Sequence, residues 1–566
     1  MHDQGKATTI TSRFRENVDH YPEKVFVHVV TDTVVRSITY SQAWAEVQAC
    51  ATCFEGMAAR GIVLIFLPQG WLAIAYYIAA MTRDLIPSFM PLPSSKQDPA
   101  LYWSSHKRLF EERLQPVAII TDEASAQAMS AHDLFNTETA LILGQVPEID
   151  PSVPPTQAGG DATATALLQH SSGTTGLKKG VMLSHKAVLD QVDSYAAAIQ
   201  ATASDVVVSW LPYYHDMGLV TGLLMPASLG QTIVLLDPFA WVVRPITLFL
   251  AVTTYAGTLC WLPNFAFEHL TRLVAPNPEI INLRSVRAFI NCSEPCFPAT
   301  FSRFYDRFSV CGVRRDMLQV CYAMAETTFA VCQTPIGLPA AVFHADAEGL
   351  RGGIVSSSSH GRHSVEVQST GTPIGGVEIS IRDSDGRPLG SDRVGEVWVR
   401  APFLFSGYYN LERPRPKSAD GYHPTNDRGF LRSEQVYILG RLDDLIIING
   451  QNFHAAEIES LLNSVSAIKP GRSVVFALHN VGRASSDLVV VAEVGTNVPE
   501  DEIRRAIRKR VFDAIGIYPS IVRLVDAGWL IKTTSGKITR GSNMEKFLRA
   551  QESSAKGEEH AGQPNV

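Results

Sequence analysis

The sequence predicts an α/β protein with a large N-terminal part of layered α/β units and a smaller C-terminal part that mixes helices and strands. Short apolar runs alternate with helix-like segments over much of the 566 residues, as in doubly wound sheets. Apolar residues make up 46% and charged residues 19%, which excludes a largely disordered chain. The net charge of −7 excludes a global basic field that recruits nucleic acid or anionic membrane.

The elements of the N-terminal part follow in order along the chain. Runs rich in branched residues predict strands, and longer segments with a helical spacing of apolar residues predict helices. The predicted strands are Val117–Thr121, Val206–Trp210, Thr232–Leu236 and Ser285–Ile290, and the predicted helices include Leu183–Ile199 and Pro245–Val252.

The uncharged stretch from Gly61 to Thr82 is long enough to span a bilayer. The breaker Pro68-Gln69-Gly70 divides it into two shorter pieces. We therefore predict a buried strand at Ile62–Leu67 and a helix at Trp71–Met81, and no membrane span.

The pattern changes from about Gly371, where short alternating strands such as Val377–Arg382 and Gly395–Arg400 predict a β subdomain. We predict an N-terminal domain at 1–442, with the β subdomain at about 371–442, and a small mobile C-terminal domain at 443–550. The latter contains Ser473–Leu478, Leu488–Val494 and the helix Pro499–Ile515. The polar tail 551–566 is predicted to be disordered, and Pro151–Gly160 reads as a linker.

Targeting and cysteine signals indicate a cytoplasmic protein. The N-terminal residues lack an apolar signal core, and eight cysteines in this length do not make a disulfide framework. Cys50 and Cys53 have no accompanying histidine or second cysteine pair and fall in the helix-like segment Ser41–Ala59. They are therefore interpreted as packing residues rather than a metal or redox motif.

The strongest local signal is the glycine-rich segment from Leu167 to Gly180, which reads LLQHSSGTTGLKKG. Glycines let backbone N–H groups approach phosphate oxygens, hydroxyls add donors, and lysine neutralises charge. The segment is not a G-x-x-x-x-G-K-[ST] loop, because no Ser or Thr follows the lysine. Apolar residues on both sides argue against a flexible linker and for a phosphate-binding loop.

This loop resembles the phosphate-binding motif of the acyl-adenylating (AMP-binding) superfamily. That superfamily includes acyl-CoA synthetases, fatty acyl-AMP ligases, luciferases and peptide-synthetase adenylation domains. Further matches occur in order: Ser209–Gly218 (SWLPYYHDMG), Pro263–Phe267, Asn291–Pro295, Tyr322–Thr327, Thr425–Asp427, Gly440–Asp444 and Ser535–Lys537. The resemblance implies an acyl-CoA synthetase/luciferase-like fold and ATP-dependent activation of a carboxylic acid as acyl-AMP.

The resemblance also implies site residues for ATP. The β- and γ-phosphates would be held by the loop residues Ser171, Ser172, Gly173, Thr174, Thr175, Gly176 and Lys179. Tyr322 would stack on adenine, flanked by Ala323 and Ala325, and Ser293-Glu294-Pro295 would line the ring. Glu326 would ligate Mg²⁺, a cation that prefers oxygen.

Four further roles come from the same resemblance. Asp427, with Arg441 nearby, would accept both ribose hydroxyls. Lys537 would stabilise charge while acyl-AMP forms. Asp443 would be the hinge about which the C-terminal domain rotates between half-reactions. His215 would gate or wall the acyl pocket, although a buried histidine without a catalytic role explains it equally well.

The sequence departs from the family pattern at five positions. Lys178 and Ile531 replace prolines, His170 replaces Thr or an aromatic residue, and Ala323 and Asn426 replace glycines. Ala323 matters if its position requires a positive φ or a close approach to the nucleotide, whereas asparagine at position 426 tolerates a positive φ. Three hypotheses follow: a two-step acid–thiol ligase, an enzyme with weakened adenylation that mainly converts supplied acyl-AMP to thioester, and a degenerate scaffold. The charged residues favour the first.

The resemblance implies that the acceptor is a phosphopantetheine thiol, either of CoA or of a carrier protein. The long segment between Glu326 and Gly371 resembles an insertion of fatty acyl-AMP ligases, and Leu445–Gly450 resembles their D-L-I-I-I-x-G motif. Both favour a carrier protein. The acyl pocket is expected among Tyr214–Gly222, Trp261–Phe267 and Asn291–Ser293, whose aromatic and apolar residues favour a lipophilic acyl or polycyclic acid over a small polar one. The basic face of Asp501–Arg510 would meet a carrier protein, CoA phosphates or simply solvent.

Overall fold

A computed structural model gives the architecture of most of the chain. It describes residues 8–31, 34–93, 99–134, 139–148, 159–170, 179–358, 364–411, 418–448, 451–480, 485–495, 498–532 and 538–561. Residues 171–178 of the phosphate loop, most of the 151–160 linker and Lys537 lie outside these ranges.

The first layer is a four-stranded parallel sheet with strand order β4-β3-β5-β6. The predicted strand, turn and helix across the Pro68–Gly70 breaker are confirmed as β3 and α3. The elements up to residue 143 are α1 (Ile10–His20), β1 (Val25–Val30), β2 (Val35–Thr39), α2 (Tyr40–Ala51), β3 (Ile62–Phe66), α3 (Trp71–Thr82), β4 (Ile86–Phe89), α4 (Pro99–Leu109), β5 (Ala118–Thr121), α5 (Glu123–Ala131) and β6 (Ala140–Leu143).

The second layer is a nine-stranded sheet whose central strands are parallel, flanked by antiparallel edge strands. The predicted strands and helices in this region are confirmed within a few residues. The nine-stranded sheet also contains β1 and β2 at one edge and β17 (Thr372–Pro373) at the other, whereas β7 and β8 pair with β20 (Gly407–Tyr408) in a separate three-stranded sheet. The elements from Thr165 to Gln333 are β7 (Thr165–His170), β8 (Gly180–Ser184), α6 (His185–Ala198), β9 (Val206–Ser209), α7 (Asp216–Leu219), α8 (Met225–Leu229), β10 (Thr232–Leu236), α9 (Pro238–Val243), α10 (Ile246–Tyr255), β11 (Leu259–Leu262), α11 (Asn264–Leu273), β12 (Ala288–Asn291), α12 (Pro298–Phe308), β13 (Leu318–Ala323) and β14 (Ala330–Gln333).

The third unit is an antiparallel sheet of order β18-β19-β21-β22, against which a β15–β16 hairpin packs. The hairpin belongs to the long segment after Glu326, which is thus packed rather than a free surface loop over its described part. The elements are β15 (Val342–Asp346), α13 (Ala347–Arg351), β16 (Ser364–Gln368), β17 (Thr372–Pro373), β18 (Glu378–Arg382), β19 (Gly395–Arg400), β20 (Gly407–Tyr408), β21 (His423–Arg432) and β22 (Gln435–Arg441).

The C-terminal segment has hydrophobic clusters of its own between Ile446 and Phe547, separate from the main core. It contains β23 (Leu445–Ile448), β24 (Gln451–His454), α14 (Ala455–Leu462), β25 (Ile468–Asn480), β26 (Ser485–Val494), α15 (Glu500–Ile515), β27 (Ile521–Val525) and α16 (Arg540–Ala561). Where the sequence predicts a disordered tail from 551, α16 continues to Ala561. The reason is composition: Ala, Glu, Gln and Lys are good helix formers, and the first proline of the tail is Pro564.

The nine-stranded sheet brings distant segments together at one edge. β12 and β13 are parallel neighbours, with Asn291 beside Val320, so the segments that follow the two strands meet. The crevice beyond the carboxyl ends of parallel strands is the usual ligand site of open α/β sheets. In the part of the chain that the structure describes, no helix is both long and apolar enough to cross a bilayer.

Candidate functional site

Tyr322, Asp427 and Arg441 form a compact group that we call the ribose corner, after the ligand that the sequence analysis predicts for Asp427. Tyr322 lies near the end of β13, and Asp427 and Arg441 face each other across β21 and β22. The Tyr322 hydroxyl donates to Asp427 Oδ2 at 2.5 Å, and Arg441 Nε lies 3.8 Å from Oδ1. The structure therefore joins three residues predicted separately from the sequence.

The Asp427 carboxyl is largely buried, with 16% of its side chain exposed. Burial raises the pKa of Asp427 to about 6, while Arg441 and the Tyr322 hydroxyl act in the opposite direction. Glu326 and Glu396 are close enough to raise the pKa further. A carboxylate held this way has strong acceptor capacity for hydroxyl groups because its competing water has been removed.

Glu326 lies at a second cluster, together with Tyr408 and Lys179. The Tyr408 hydroxyl donates to Glu326 Oε1 at 2.6 Å, and Lys179 Nζ is 5.2 Å from the centre of the Tyr408 ring. Strand pairing causes this arrangement, because Tyr408 in β20 lies opposite Val181 in β8, just after Lys179. The end of the phosphate loop and the predicted Mg²⁺ ligand thus lie on either side of one tyrosine.

The side chains around Glu326 fit a Mg²⁺ ion that takes most of its ligands from the substrate and from water. No three His, Cys, Asp or Glu side chains converge into a metal site among the described residues. Mg²⁺ is commonly held by one or two carboxylates together with phosphate oxygens and water. Glu326, with Lys179 at the end of the predicted phosphate loop on the same tyrosine, is compatible with that requirement.

Ala323 and Asn426 replace family glycines with different consequences. Ala323 ends β13 and pairs with Ala330 after a register shift, and its φ is not positive, so its backbone conformation does not require glycine. Asn426 has φ of 64°, in the left-handed region. Its Nδ2 donates to Asp443 Oδ2 at 2.6 Å, and its backbone N–H donates to Glu396 Oε1 at 3.0 Å. The predicted hinge residue therefore contacts the residue of β21 that precedes Asp427.

The predicted acyl side lies at the ends of β9, β11 and β12. His215 is the N-cap of α7, and its carbonyl accepts from the Leu219 N–H at 2.8 Å. Ser293, with φ of 69°, places its Oγ 3.8 Å from Met217 Sδ, which brings the segment after β12 against α7. A Cβ at Gly218 would lie 2.2 Å from the Pro212 carbonyl oxygen, so this turn excludes every other residue.

Glu294 has a structural contact that the sequence does not indicate. Its Oε2 accepts from the Phe265 N–H at 2.9 Å and so ties the segment after β12 to the start of α11. Asn291 and Asn264 add a side-chain hydrogen bond of 2.9 Å between the same two regions. The Ser293-Glu294-Pro295 backbone is thereby fixed at the sheet edge.

Aromatic side chains pack beside these segments. The Trp210 and Trp241 rings stack at 3.8 Å, and the edge of Phe265 meets both. All three lie just beyond strand ends, next to the segments expected to form the acyl pocket. The surroundings are apolar, as expected for a lipophilic acid.

Several functional candidates fall outside the described residues. They are Ser171, Ser172, Gly173, Thr174, Thr175, Gly176 and Lys178 of the loop, and Lys537. Lys537 is followed by Arg540, whose side chain pairs with Asp444 and, at 2.8 Å, with Glu459. These ion pairs tie the residues after Lys537 to the segment that follows the predicted hinge.

Tyr408 and Arg351 are residues that sequence reasoning missed. Arg351 in α13 lies 3.8 Å from Glu457 and 4.8 Å from the centre of the Phe453 ring, so the hairpin region contacts the C-terminal segment. Nothing in the local sequence of either residue indicates a role, because each contact depends on tertiary pairing.

Comparisons with known proteins agree with this geometry. The AMP-binding enzyme family matches residues 14–409. The medium-chain-fatty-acid–[acyl-carrier-protein] ligase JamA of Moorena producens is 30% identical over 91% of this chain and 90% of its own. The long-chain-fatty-acid–AMP ligase FadD26 of Mycobacterium marinum is 27% identical over 95% and 97%.

Solved structures show the same fold. A structure from studies of fatty acyl-adenylate ligases of E. coli and L. pneumophila has a TM-score of 0.86 at 22% identity, covering 96% of this chain and 98% of its own. A fatty acid AMP ligase from Legionella pneumophila has a TM-score of 0.73 at 25% identity, with 96% of each chain covered. The chain belongs to the AMP-binding enzyme family, and the predicted family, fold class and enzyme class, an ATP-dependent acyl ligase, are confirmed.

Proposed function

We propose that this member of the AMP-binding enzyme family activates a lipophilic carboxylic acid with ATP and passes the acyl group to a phosphopantetheine thiol. The ribose corner carries the proposal. A buried carboxylate held by Tyr322 and Arg441, with Glu326 close by, supports a nucleotide site at this position. Burying these charges is costly unless a ligand or partner groups use them.

In the first half-reaction, Asp427 accepts the ribose hydroxyls, and Tyr322 with the Ser293-Glu294-Pro295 backbone, Ala323 and Ala325 surrounds adenine. The 171–179 loop holds the β- and γ-phosphates. Glu326 holds Mg²⁺, which neutralises phosphate charge when bound. Lys537 stabilises the charge that develops on the substrate carboxylate and α-phosphate. His215, at the start of α7, borders the acyl pocket.

In the second half-reaction, the thiol attacks the acyl carbonyl, the thioester bond forms, and AMP leaves. Asp443 is the position at which the C-terminal segment turns between the two states. The ordinary backbone of Ala323 removes one reason for expecting weakened adenylation. The retained set of Glu326, Asp427, Arg441 and Lys537 argues against a scaffold without activity.

A carrier protein is the favoured acceptor. The Arg351 contacts with Glu457 and Phe453 attach the hairpin region to the C-terminal segment, in the region that resembles the insertion of fatty acyl-AMP ligases. Carrier-protein ligation is also what the name of the relative JamA states for that protein. Both observations support a protein-bound thiol over CoA.

Product analysis tests the proposal. The enzyme is incubated with ATP, Mg²⁺ and a panel of aliphatic and aromatic acids, and acyl-AMP is detected by mass spectrometry. Pantetheine, CoA or a pantetheinylated carrier is then added. We expect acyl-AMP with at least one lipophilic acid and its conversion to a thioester. Tight ATP binding with no acyl-AMP from any acid would favour the scaffold instead.

A further inference from the structure

The outer side of α15 presents a surface that the proposed catalytic site does not use. Its buried side packs Ile503, Ile507 and Val511 into the C-terminal core. The opposite side carries Arg505, Arg508, Lys509 and Phe512, which the helical repeat places in one stripe, with Tyr518 beyond the helix end. We call these five residues the basic–aromatic face.

The positive charge of this face is only partly neutralised within the helix. Lys509 pairs with Asp513 at 2.6 Å and is still 77% exposed. Arg508 Nε donates to the Pro519 carbonyl at 3.4 Å, and Arg505 forms no ion pair among the described residues. Residues 443–550 contain 14 Lys and Arg against 12 Asp and Glu, in a chain whose net charge is −7. The face is thus a local basic surface on an acidic protein.

An exposed aromatic pair distinguishes this face from a merely solvated one. Phe512 and Tyr518 stack with ring centres 4.2 Å apart at 16°, and they are 40% and 57% exposed. Exposed aromatic residues next to arginine are typical of the energetic centre of protein interfaces.

We propose that the basic–aromatic face docks an acidic helix of the protein that carries the acceptor thiol. The charge matches such a partner, and the stripe from Arg505 to Phe512 extends about 10 Å along the helix axis, which suits a helix better than a single diphosphate. The inference rests on the proposed function and specifies its acceptor: the thiol arrives on a protein that α15 recognises.

The test uses an acidic helical peptide with phosphopantetheine on one serine, the same peptide with glutamines in place of its acidic residues, free pantetheine, and CoA. All four thiols react with acyl-AMP on the enzyme. We expect kcat/KM for the acidic peptide to exceed that for the neutral peptide by about tenfold and to fall with salt. Equal values for the two peptides would overturn the proposal.

Variants locate the effect. Arg505→Glu with Lys509→Glu is expected to remove the preference for the acidic peptide and to leave reaction with pantetheine unchanged, which also shows that the enzyme is folded. The milder Arg505→Gln with Lys509→Gln keeps the test valid if the first pair unfolds. Phe512→Ala with Tyr518→Ala is expected to weaken both peptides alike.

The matched control is Lys107→Glu with Arg108→Glu on α4, the same charge change on exposed cations of another helix. This control variant is expected to keep the preference for the acidic peptide. If the preference is lost in the control as well, it depends on the net charge of the enzyme and not on α15, and the proposal is overturned. A fall in CoA use equal to the fall in peptide use would mean that the face binds phosphates, and would overturn the proposal. Absence of reaction with any thiol, pantetheine included, would contradict the proposed function itself.

Discussion

The ribose corner and the basic–aromatic face use charge in opposite ways. In the corner, the Asp427 side chain is 16% exposed and contacts Tyr322 and Arg441 at fixed distances. On the face, Lys509 is 77% exposed and its partner lies on its own helix. A buried charge has few alternative partners, so we expect the ribose corner to contribute to the binding of every ligand that contains the ribose. An exposed charge is screened, so the face should act only on the approach of a macromolecule.

We expect each functional residue of the C-terminal segment to affect only one of the two half-reactions, unlike the ribose corner. Lys537→Ala tests this with the largest expected effect. We expect acyl-AMP formation to fall by about 10² to 10³, because the residue stabilises charge that develops only in that step. Thioester formation from supplied acyl-AMP should be largely retained. Pyrophosphate exchange and single-turnover thiolation measure the two rates, and equal loss in both would contradict the assignment.

The ribose corner should affect both half-reactions, because ATP and acyl-AMP share the ribose. A hydrogen bond to a charged group contributes about 1.5–3 kcal/mol. Asp427→Ala should therefore weaken both ligands by about tenfold to a hundredfold. Calorimetry with ATP and with a non-hydrolysable acyl-AMP mimic measures the change. Lys509→Ala is the control, and it should leave both affinities unaltered.

The pKa of Asp427 gives the corner a pH dependence that the exposed face lacks. Because burial raises the pKa of Asp427 to about 6, its carboxyl is protonated below that pH and ionised above it. Only the ionised form accepts with both oxygens. Adenosine affinity should therefore rise by about tenfold from pH 5 to pH 7 and then level off. Asp427→Asn should abolish this dependence, and a variant that keeps it would show that another group titrates. Adenosine is the probe because its binding does not involve titrating phosphates.

The smallest effect is expected at the contact between Asn426, next to the ribose corner, and Asp443, where the C-terminal segment begins. Asn426→Gly restores the family residue, suits the φ of 64°, and removes the 2.6 Å hydrogen bond to Asp443. Because one exposed hydrogen bond is lost, we expect thiolation to rise by about twofold to threefold, with little change in exchange. Asn426→Asp, which repels Asp443, should behave similarly. If thiolation slows in both variants, the hydrogen bond between Asn426 and Asp443 assists the rotation of the C-terminal segment and does not restrain it.

Much of the fold follows from local sequence. The breaker Pro68-Gln69-Gly70 separates β3 from α3, and runs such as Thr232–Leu236 are apolar throughout because parallel strands are buried on both faces. The tail was harder to predict, because its polar composition indicates disorder while its individual residues favour the helix that α16 forms.

Some residues of the candidate site could likewise be predicted from the sequence, and others could not. Tyr322, Glu326 and Asp427 could be selected because each lies in a recognisable motif. Tyr408 and the Asn426–Asp443 contact could not, because they depend on the pairing of β20 with β8 and on the turn after β22. The contact of Arg351 with Glu457 joins residues more than a hundred positions apart, and no local pattern records it.

Acid-dependent pyrophosphate exchange by the unmodified enzyme tests the central claim most directly, because it requires the ribose corner, the phosphate loop and Lys537 at once. The enzyme is supplied with ATP, Mg²⁺, labelled pyrophosphate and a series of aliphatic and aromatic acids. We predict exchange that depends on the acid, is strongest with a lipophilic one, and falls in Asp427→Ala. Exchange that is absent with every acid, while acyl-AMP supplied from outside is still converted to thioester, would contradict the account.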